Sequence, residues 1–548
     1  MDATLIIKNA NVLTLDSNNR VAGSVAISEG KIVSIWDTPE PSKGDIKINE
    51  RTTVIDLKGD TLIPGFIDTH NHILMYALMR SQVNCSTPPN HSIYDILNKI
   101  EKAAADTING EWIQGYGFDD TMISEKRHIL RHELDRVAPD NPVIITHISG
   151  HLAYVNSLAL RLASIAEDVE DPSGGHYGRY ENGLVNGVLY ENGAMDPITS
   201  ILPKKSVTES LDHLKHAAKE YLSQGITTNT DAMVSNVEDL NVHLLAAKTG
   251  ENPMRTRLMI MHTLLREGAP FEGYSPEQLN NELMAKSNGL VKLDSIKMFQ
   301  DGSIQGLTGA LRKPYHNNKA LLGNLIHPQE DFQEEIIQLH QKGFRIAIHG
   351  NGDRAIESIL QAYENAISKF PRKRHQHRIE HVQTATLDDL EKMSSLEVAG
   401  SFFINHVYYW GDRHEELFLG PERARRISPL ADAIRNNLLF TLHSDCPITP
   451  ISPLFSVWAA VNRLTSSNRV LGPNQQIDII TALKSMTIYG AILNFDEENT
   501  GSIEVGKLAD FAVLDADPLS IDKEDIKDIN VKATFLNGNL VYGESQID

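Results

Sequence analysis

The chain has 548 residues, of which 41% are hydrophobic and 22% charged, a composition that excludes wholesale disorder and suits one large domain with smaller attached pieces. Its formal net charge of −21 disfavours nucleic acid and anionic membranes as partners, and no basic run offsets it. Two cysteines, no signal-peptide pattern at the start and no apolar run of membrane-spanning length together predict a cytoplasmic protein without disulfides.

Short strands are predicted at both ends of the chain, in residues 1–62 and 501–548. In the first piece, residues 25–27 and 31–35 flank a hairpin turn at Gly30. In the second piece, Asn537-Gly538 is typical of a tight turn. Neither piece is large enough to bury a core alone, so we expect the two ends to combine into one small β-sandwich.

Between these ends, residues 63–500 alternate between strand-like and helix-like segments, which indicates βα units and a parallel sheet. Helical patterns include residues 207–222 and 331–342. A long insertion near 76–204 has its own strand-like pieces and is predicted to be a subdomain covering the barrel mouth. Eight candidate barrel strands centre on residues 65–68, 226–228, 258–260, 296–299, 346–348, 378–380, 398–402 and 438–441.

A pair of histidines follows the first of these strands. His70 and His72 lie two residues apart, and on an extended chain such side chains point the same way, so both imidazoles can reach one ion. Taken alone, a His-x-His pair is equally typical of a polar surface.

Further metal-ligand types end later strands of the series. His349 and His381 close two of them, and Asp445 follows the last. In a parallel barrel, the carboxyl ends of the strands form the face on which active sites are built. Imidazoles with a carboxylate suit zinc and similar divalent ions, so the pattern predicts a metal site.

Lys297 stands among apolar residues in the middle of the fourth candidate strand. One interpretation is a lysine that extends to the barrel rim or pairs with Asp301. The other is a buried lysine of lowered pKa, whose neutral amine reacts with CO₂ to form a carbamate that bridges two metals.

Several motifs, in their order along the chain, resemble the amidohydrolase superfamily of metal-dependent hydrolases, and most closely its YtcJ-like branch. The resemblance covers nearly the whole chain. The matching stretches are LIPGFIDTHNH at 62–72, KMFQDGS at 297–303, AIHGNGD at 347–353, RIEHVQ at 378–383, HSDCP at 443–447 and GSIEVGKLAD at 501–510.

The resemblance implies an α/β fold, a distorted TIM (β/α)₈ barrel that carries the β-sandwich. It also implies one or two divalent metal ions, most typically zinc, that activate a hydroxide to cleave a non-peptide C–N bond. By position, His70 and His72 would bind one metal, His349 and His381 the second, and carboxylated Lys297 would bridge them. Asp445 would bind the first metal and shuttle protons.

Three carboxylates near these ligands are candidate acceptors for the metal-bound imidazoles, namely Asp68, Asp353 and Glu380. Ordinary loop carboxylates are the alternative interpretation.

Two further pairs of residues are candidates for contacts with a small-molecule substrate. In the insertion, His151 could hydrogen-bond a substrate oxygen, and so act in catalysis, and Glu191 could line the pocket or touch a metal. A structural histidine and a helix-start carboxylate are the alternatives. Asn405 and His406 end the seventh candidate strand, where we expect side chains to face a substrate.

Two other functions remain open at this point. A mononuclear ring-amine deaminase of the same fold usually lacks the bridging lysine and carries a glutamate after the strand, whereas here Lys297 is present and residues 350–353 contain no glutamate. A metal-free assembly protein would have lost its ligands, and all six positions are filled. The substrate and the oligomeric state stay open, although the family often forms dimers.

Overall fold

The computed structural model describes residues 2–42, 46–47, 49–87, 89–203 and 205–544. Three predicted bounds lie outside these ranges, namely residue 1 of the first terminal piece, residue 204 of the insertion and residue 548 of the second terminal piece. The chain divides into two compact units. One contains residues 1–74, 211–301 and 310–548, and we call it the barrel unit. The other contains residues 75–210 and 302–309, and we call it the insertion unit.

The barrel unit is built on one parallel sheet of eight strands, hydrogen-bonded in chain order from the first to the eighth. The hydroxyls of Thr69 and Thr441, on the first and eighth strands, lie 2.8 Å apart and bring the sheet close to closure. All eight predicted strands, and the distorted TIM barrel, are confirmed. The strands are Phe66–Asn71, Ile226–Val234, Arg255–Met261, Val291–Phe299, Ile346–Gly350, Arg378–His381, Ala399–Phe402 and Phe440–Leu442.

Helices follow most of these strands. Asp353–Lys369 buries Ile356, Ile359 and Tyr363, whose helical spacing places them on one face, and Ser275 caps Pro276–Lys286. No helix within the described ranges is long and apolar enough to cross a membrane. The remaining helices of the barrel unit, including short 3₁₀ and π segments, are Val237–Thr249, His262–Leu265, Gln329–Gln341, Leu387–Ser395, His406–Arg413, His414–Phe418, Pro421–Ala424, Leu430–Arg435, Pro453–Asn462, Pro473–Gln475, Ile479–Ser485, Ile488–Leu493 and Lys523–Asp528.

Two further sheets of the barrel unit form the sandwich predicted from both termini. Buried apolar side chains from both sheets, including Ile7, Val25 and Phe511, share one core. The four-stranded sheet has the order Lys31–Trp36, Ser24–Ser28, Leu5–Lys8 and Thr53–Asp56. The six-stranded sheet has the order Asn539–Tyr542, Val531–Leu536, Phe511–Leu514, Thr61–Pro64, Asn11–Leu13 and Val21–Ala22.

The insertion unit has its own six-stranded sheet and its own buried core, which includes Ile100, Ile145 and Tyr154. Residues 302–309 belong to this unit although they follow the fourth barrel strand, a feature that the sequence did not reveal. Its sheet has the order His176–Arg179, Val185–Tyr190, Leu152–Val155, Val143–His147, Ile113–Phe118 and Val83–Asn84. Its helices are Ile93–Asp106, Arg131–Val137, Ser157–Leu162 and Glu191–Thr199, while Ile73–Met79 and Val207–Ser223 span the two boundaries with the barrel unit.

Candidate metal centre

The six predicted metal ligands occur on five barrel strands or directly after them. His70 lies in the first strand and His72 follows it, and Lys297 lies near the end of the fourth. The sixth strand ends at His381. His349 lies in the fifth strand, and Asp445 follows the eighth by three residues. The ends of parallel strands converge in a barrel, which brings these side chains towards one another.

The first cluster of ligand atoms surrounds the Asp445 carboxylate. Nε2 of His70 and Nε2 of His72 each lie 3.3 Å from Oδ1 of Asp445. That oxygen is buried and forms no hydrogen bond with any described residue. Two ligands of a tetrahedral zinc ion, each bonded at about 2.0–2.1 Å, lie roughly 3.3–3.4 Å apart, so each of these two spacings is that of a pair of ligands on one divalent ion.

A buried ion pair fixes the orientation of the His70 ring. Nδ1 of His70 makes a very short hydrogen bond to Glu380, which leaves Nε2 facing Asp445. Nε of Arg378 lies 2.5 Å from the other oxygen of Glu380, and both side chains are fully buried. Although burial would raise the pKa of Glu380, Arg378 and His70 outweigh it and lower the pKa, so Glu380 is a carboxylate. Such carboxylate–histidine contacts are typical of metal ligands.

Three histidines form the neighbouring part of the cluster. Nε2 of His381 lies 3.0 Å from Nδ1 of His349, and Nδ1 of His381 lies 3.2 Å from Nε2 of His443. The Nδ1 atom of His443 in turn bonds the Ser401 hydroxyl at 2.8 Å. Burial and the adjacent rings lower the pKa of His381 well below its ordinary value. Neutral imidazoles are the form that binds metals.

Lys297 is fully buried, and its Nζ has no hydrogen-bond partner among the described residues. The atom lies 4.8 Å from the centroid of the Phe299 ring. Burial lowers the pKa of Lys297 to about 8, although Glu380 and Asp445 oppose that shift. Because Lys297 is fully buried, it does not reach solvent at the barrel rim. An unpartnered buried amine is also costly.

The backbone is strained where it presents two of the ligands. His381 has φ +74° and Asp445 has φ +54°, both in the left-handed region that side chains other than glycine seldom adopt. Such strain persists only where the surrounding structure enforces it, and it concentrates at functional sites.

Of the three candidate acceptors for the imidazoles, only Glu380 bonds one of the predicted ligand rings. Asp68 accepts the Ser444 hydroxyl at 2.7 Å and the backbone N–H of His70 at 3.1 Å, and burial raises its pKa to about 6. Asp353 accepts the backbone N–H of Arg312 at 2.8 Å.

Asn405 and His406, which follow the seventh strand, form hydrogen bonds with other side chains of the protein. The Asn405 amide donates to the Thr449 hydroxyl at 2.9 Å and accepts from the Ser456 hydroxyl at 3.0 Å. Nδ1 of His406 lies 3.1 Å from Nε2 of His414, and burial lowers the pKa of His406 to about 3. Both side chains are buried, and their contact with a substrate stays a prediction.

The two candidates in the insertion unit contact each other. Nδ1 of His151 lies 2.9 Å from Oε2 of Glu191. Burial alone would raise the pKa of Glu191, but the His151 ring outweighs it, so the pKa is lowered. Glu191 also has φ +62°, a left-handed backbone at a helix start. The pairing orients His151, and the catalytic role of the pair stays a prediction.

His443 and Arg378 also belong to this cluster, although no role for either was predicted from the sequence. The His443 ring stacks on His70 with centroids 4.7 Å apart, and Arg378 compensates the charge of Glu380. The signal available in the sequence was the position of His443 directly after the eighth strand, at the end of the barrel on which active sites are built.

A smaller set of ligands could hold a single ion. His70, His381 and Asp445 are all buried, and they offer one atom each within 4.8 Å of one another. This donor set therefore fits one divalent metal.

Comparison with known proteins identifies the family of the chain. Residues 53–542 match the model of the amidohydrolase family. The chain is 28% identical to the N-substituted formamide deformylase of Arthrobacter pascens, over 98% of each chain. It is 29% identical to "Putative amidohydrolase YtcJ" of Bacillus subtilis, over 90% of this chain and 91% of that one.

A solved structure shares the fold. The crystal structure of an uncharacterized metal-dependent hydrolase from Pyrococcus horikoshii has a TM-score of 0.72 at 23% identity, covering 95% of this chain and 99% of that one. The chain belongs to the amidohydrolase family, in its YtcJ-like branch, and is a hydrolase that acts on carbon–nitrogen bonds other than peptide bonds.

Proposed function

We propose that the protein hydrolyses the C–N bond of a small N-formyl or N-acyl amine, or of a cyclic amide. The observation that carries the proposal is the spacing of 3.3 Å from the unbonded Asp445 oxygen to the Nε2 atoms of both His70 and His72. The likeness to an N-substituted formamide deformylase favours formamides as the first substrates to test.

Five of the six predicted ligands divide into two sets, and Lys297 is the sixth. His70, His72 and Asp445 would hold one divalent ion, and His349 and His381 a second. Zinc suits imidazole and carboxylate ligands best. Such an ion lowers the pKa of water and polarises a carbonyl group.

Asp445 is the residue best placed to move the proton. Burial would raise its pKa, yet His381 and His70 outweigh burial and hold the pKa well below its ordinary value. As a carboxylate, it accepts a proton from the attacking water and donates it to the nitrogen of the leaving amine. A C–O bond forms, the C–N bond breaks, and the products are a carboxylic acid and an amine.

Lys297 would supply the bridging group as a carbamate. Its unprotonated amine attacks CO₂, a N–C bond forms, and one proton is released to solvent. The resulting anion removes the cost of an unpartnered buried amine when it binds cations. A Lys297 peptide heavier by the mass of one CO₂ would support this step, provided that the increase is absent in Lys297→Ala. An unmodified lysine in the metal-loaded protein would overturn it.

A second candidate function is a ring-amine deaminase that uses a single ion. The compact group formed by His70, His381 and Asp445 favours it, because those three residues alone could hold one metal. Its product is ammonia rather than a substituted amine.

The two functions are separated by a substrate screen on the zinc-loaded protein. N-substituted formamides, N-acyl amines, hydantoins, lactams and amino-purines are incubated with it, and formate, carboxylate and ammonia are measured. Acid release without ammonia supports the proposal, whereas ammonia from an amino-purine supports the deaminase.

Two aspartate variants then test whether Asp445 transfers the proton. Asp445→Asn should lower kcat about 100- to 10 000-fold, the usual contribution of a general acid–base. Asp388→Asn removes the same charge at an exposed helix position and should leave kcat unchanged. Equal kcat values for Asp445→Asn and the unaltered protein would contradict the assigned role.

A further inference from the structure

The barrel unit has a cleft of about 230 Å³ lined by three cationic side chains, Arg255, Arg257 and Lys292. Arg255 and Arg257 lie at the amino end of the third barrel strand, and Lys292 lies at the amino end of the fourth. The predicted metal ligands, in contrast, lie at the carboxyl ends of the barrel strands. The cleft is therefore separate from the candidate metal centre.

Strand register brings the three cations together. Arg257 and Lys292 are directly paired across the parallel ladder, and Arg255 precedes Arg257 by two residues. Side chains at such positions share one face of a sheet. Like charges placed directly opposite each other destabilise a sheet, so the arrangement has a cost that needs an explanation.

The carboxylates of the unit compensate only part of this charge. Asp510 pairs with Arg255 at 2.9 Å, and Asp496 pairs with Arg257 at 2.9 Å. No carboxylate of the described residues forms an ion pair with Lys292. Asp496 also lines the cleft, and Nε of Arg257 is buried without a hydrogen-bond partner among the described residues.

Lys292 is half-buried, so solvent screens it only partly. Its burial, together with the adjacent Arg257 and Arg255, lowers its pKa. Among the described residues, Lys292 is the cation of the lining without a carboxylate partner, and the two guanidinium groups beside it leave the lining with an excess of positive charge. Ammonium and guanidinium groups are those with which proteins bind oxyanions.

We propose that this cleft binds a phosphate group, at a site distinct from the hydrolytic centre. Lys292 donates a hydrogen bond to its oxygens, and Arg255 and Arg257 contribute charge. The bound anion offsets the repulsion among the three cations. The ligand is either free inorganic phosphate or the phosphate group of a small ester.

The test is isothermal titration of the metal-loaded protein with inorganic phosphate and, separately, with glycerol phosphate, at constant ionic strength set with sodium chloride. One saturable site per chain is expected. Tighter binding of inorganic phosphate would assign the free ion as the ligand, and tighter binding of the ester would assign a phosphate monoester.

Three variants locate the site. Lys292→Gln should weaken phosphate binding about tenfold or more, the effect of losing one charged hydrogen bond. Lys292→Arg keeps the charge and should retain binding within about threefold. Lys369→Gln removes an exposed charge outside the cleft lining and should leave binding unchanged.

Two results would overturn the proposal. The first is the absence of saturable phosphate binding by the unaltered protein. The second is phosphate binding of equal strength in Lys292→Gln and the unaltered protein, since that would place the anion elsewhere, for example on the metal itself.

Discussion

The buried chain from His70 through Glu380 to Arg378 allows a sharp stability prediction. Replacing Arg378 by methionine keeps most of the side-chain volume and removes its positive charge. Glu380 would then stay buried with no guanidinium 2.5 Å away to compensate its carboxylate. Arg378 also donates to the backbone oxygen of Thr69 at 2.8 Å, and that acceptor would be left unpaired.

The magnitude follows from the burial of both partners. Breaking a fully buried ion pair by removing one member typically costs about 3–5 kcal/mol, because an uncompensated charge stays in the interior. An exposed pair contributes about 0–1 kcal/mol. Arg374 and Glu497 provide the exposed comparison, since the Arg374 side chain is 65% exposed.

The assay is urea unfolding of Arg378→Met, Glu380→Gln and the double variant, with Arg374→Met as the matched control. The double variant should be more stable than Arg378→Met, because it removes both buried charges together. If Arg378→Met lost no more free energy of unfolding than Arg374→Met, the account of the buried pair would be refuted.

Three further predictions concern metal affinity, pH dependence and packing. Glu380→Gln should weaken zinc binding about 10- to 100-fold, because the carboxylate orients His70. The affinity is measured by competition with a fluorescent chelator, and an unchanged affinity would contradict that role. Burial lowers the pKa of His375 from 6.5 to about 4, so the unfolded chain binds its proton more readily than the native protein. The free energy of unfolding should therefore fall as pH drops from 6.5 towards 4, and His375→Gln should flatten that slope; an equal slope in both proteins would argue against it. In Gly65→Ala, the added Cβ would lie 2.2 Å from Cγ2 of Thr227, so we expect a loss of about 1–3 kcal/mol in the same unfolding assay, and a neutral effect would contradict the packing described.

The barrel was predictable because each of its strands can be recognised from its own local sequence pattern. Buried parallel strands such as Ile346–Gly350 are continuous apolar runs, and the polar residue that interrupts each run marks the strand end. Position at a strand end located His349 and His381, whereas Asp445, three residues past its strand, was identified from the motif at 443–447. A strand-end position does not show which side chains meet, since Glu380 and His70 are 310 positions apart and make contact only when the barrel forms.

Features that depend on strand register and on long-range contacts could not be predicted from the sequence. The pairing of Arg257 with Lys292 follows from the alignment of two strands, which no single-strand pattern reports. Residues 302–309 join the insertion unit although nothing in their composition separates them from the barrel. Asp353, one of the candidate acceptors for an imidazole, opens the helix Asp353–Lys369 and accepts the backbone N–H of Arg312.

The central claim is that His70, His72 and Asp445 hold a divalent ion on which C–N hydrolysis depends. It is tested most directly by measuring bound zinc and the rate of formate release from an N-substituted formamide in the same samples of the unaltered protein and of His72→Asn. The account predicts stoichiometric zinc and formate release in the unaltered protein, and a parallel loss of both in the variant. A protein that takes up no zinc, or a His72→Asn variant that retains full zinc and full activity, would contradict it.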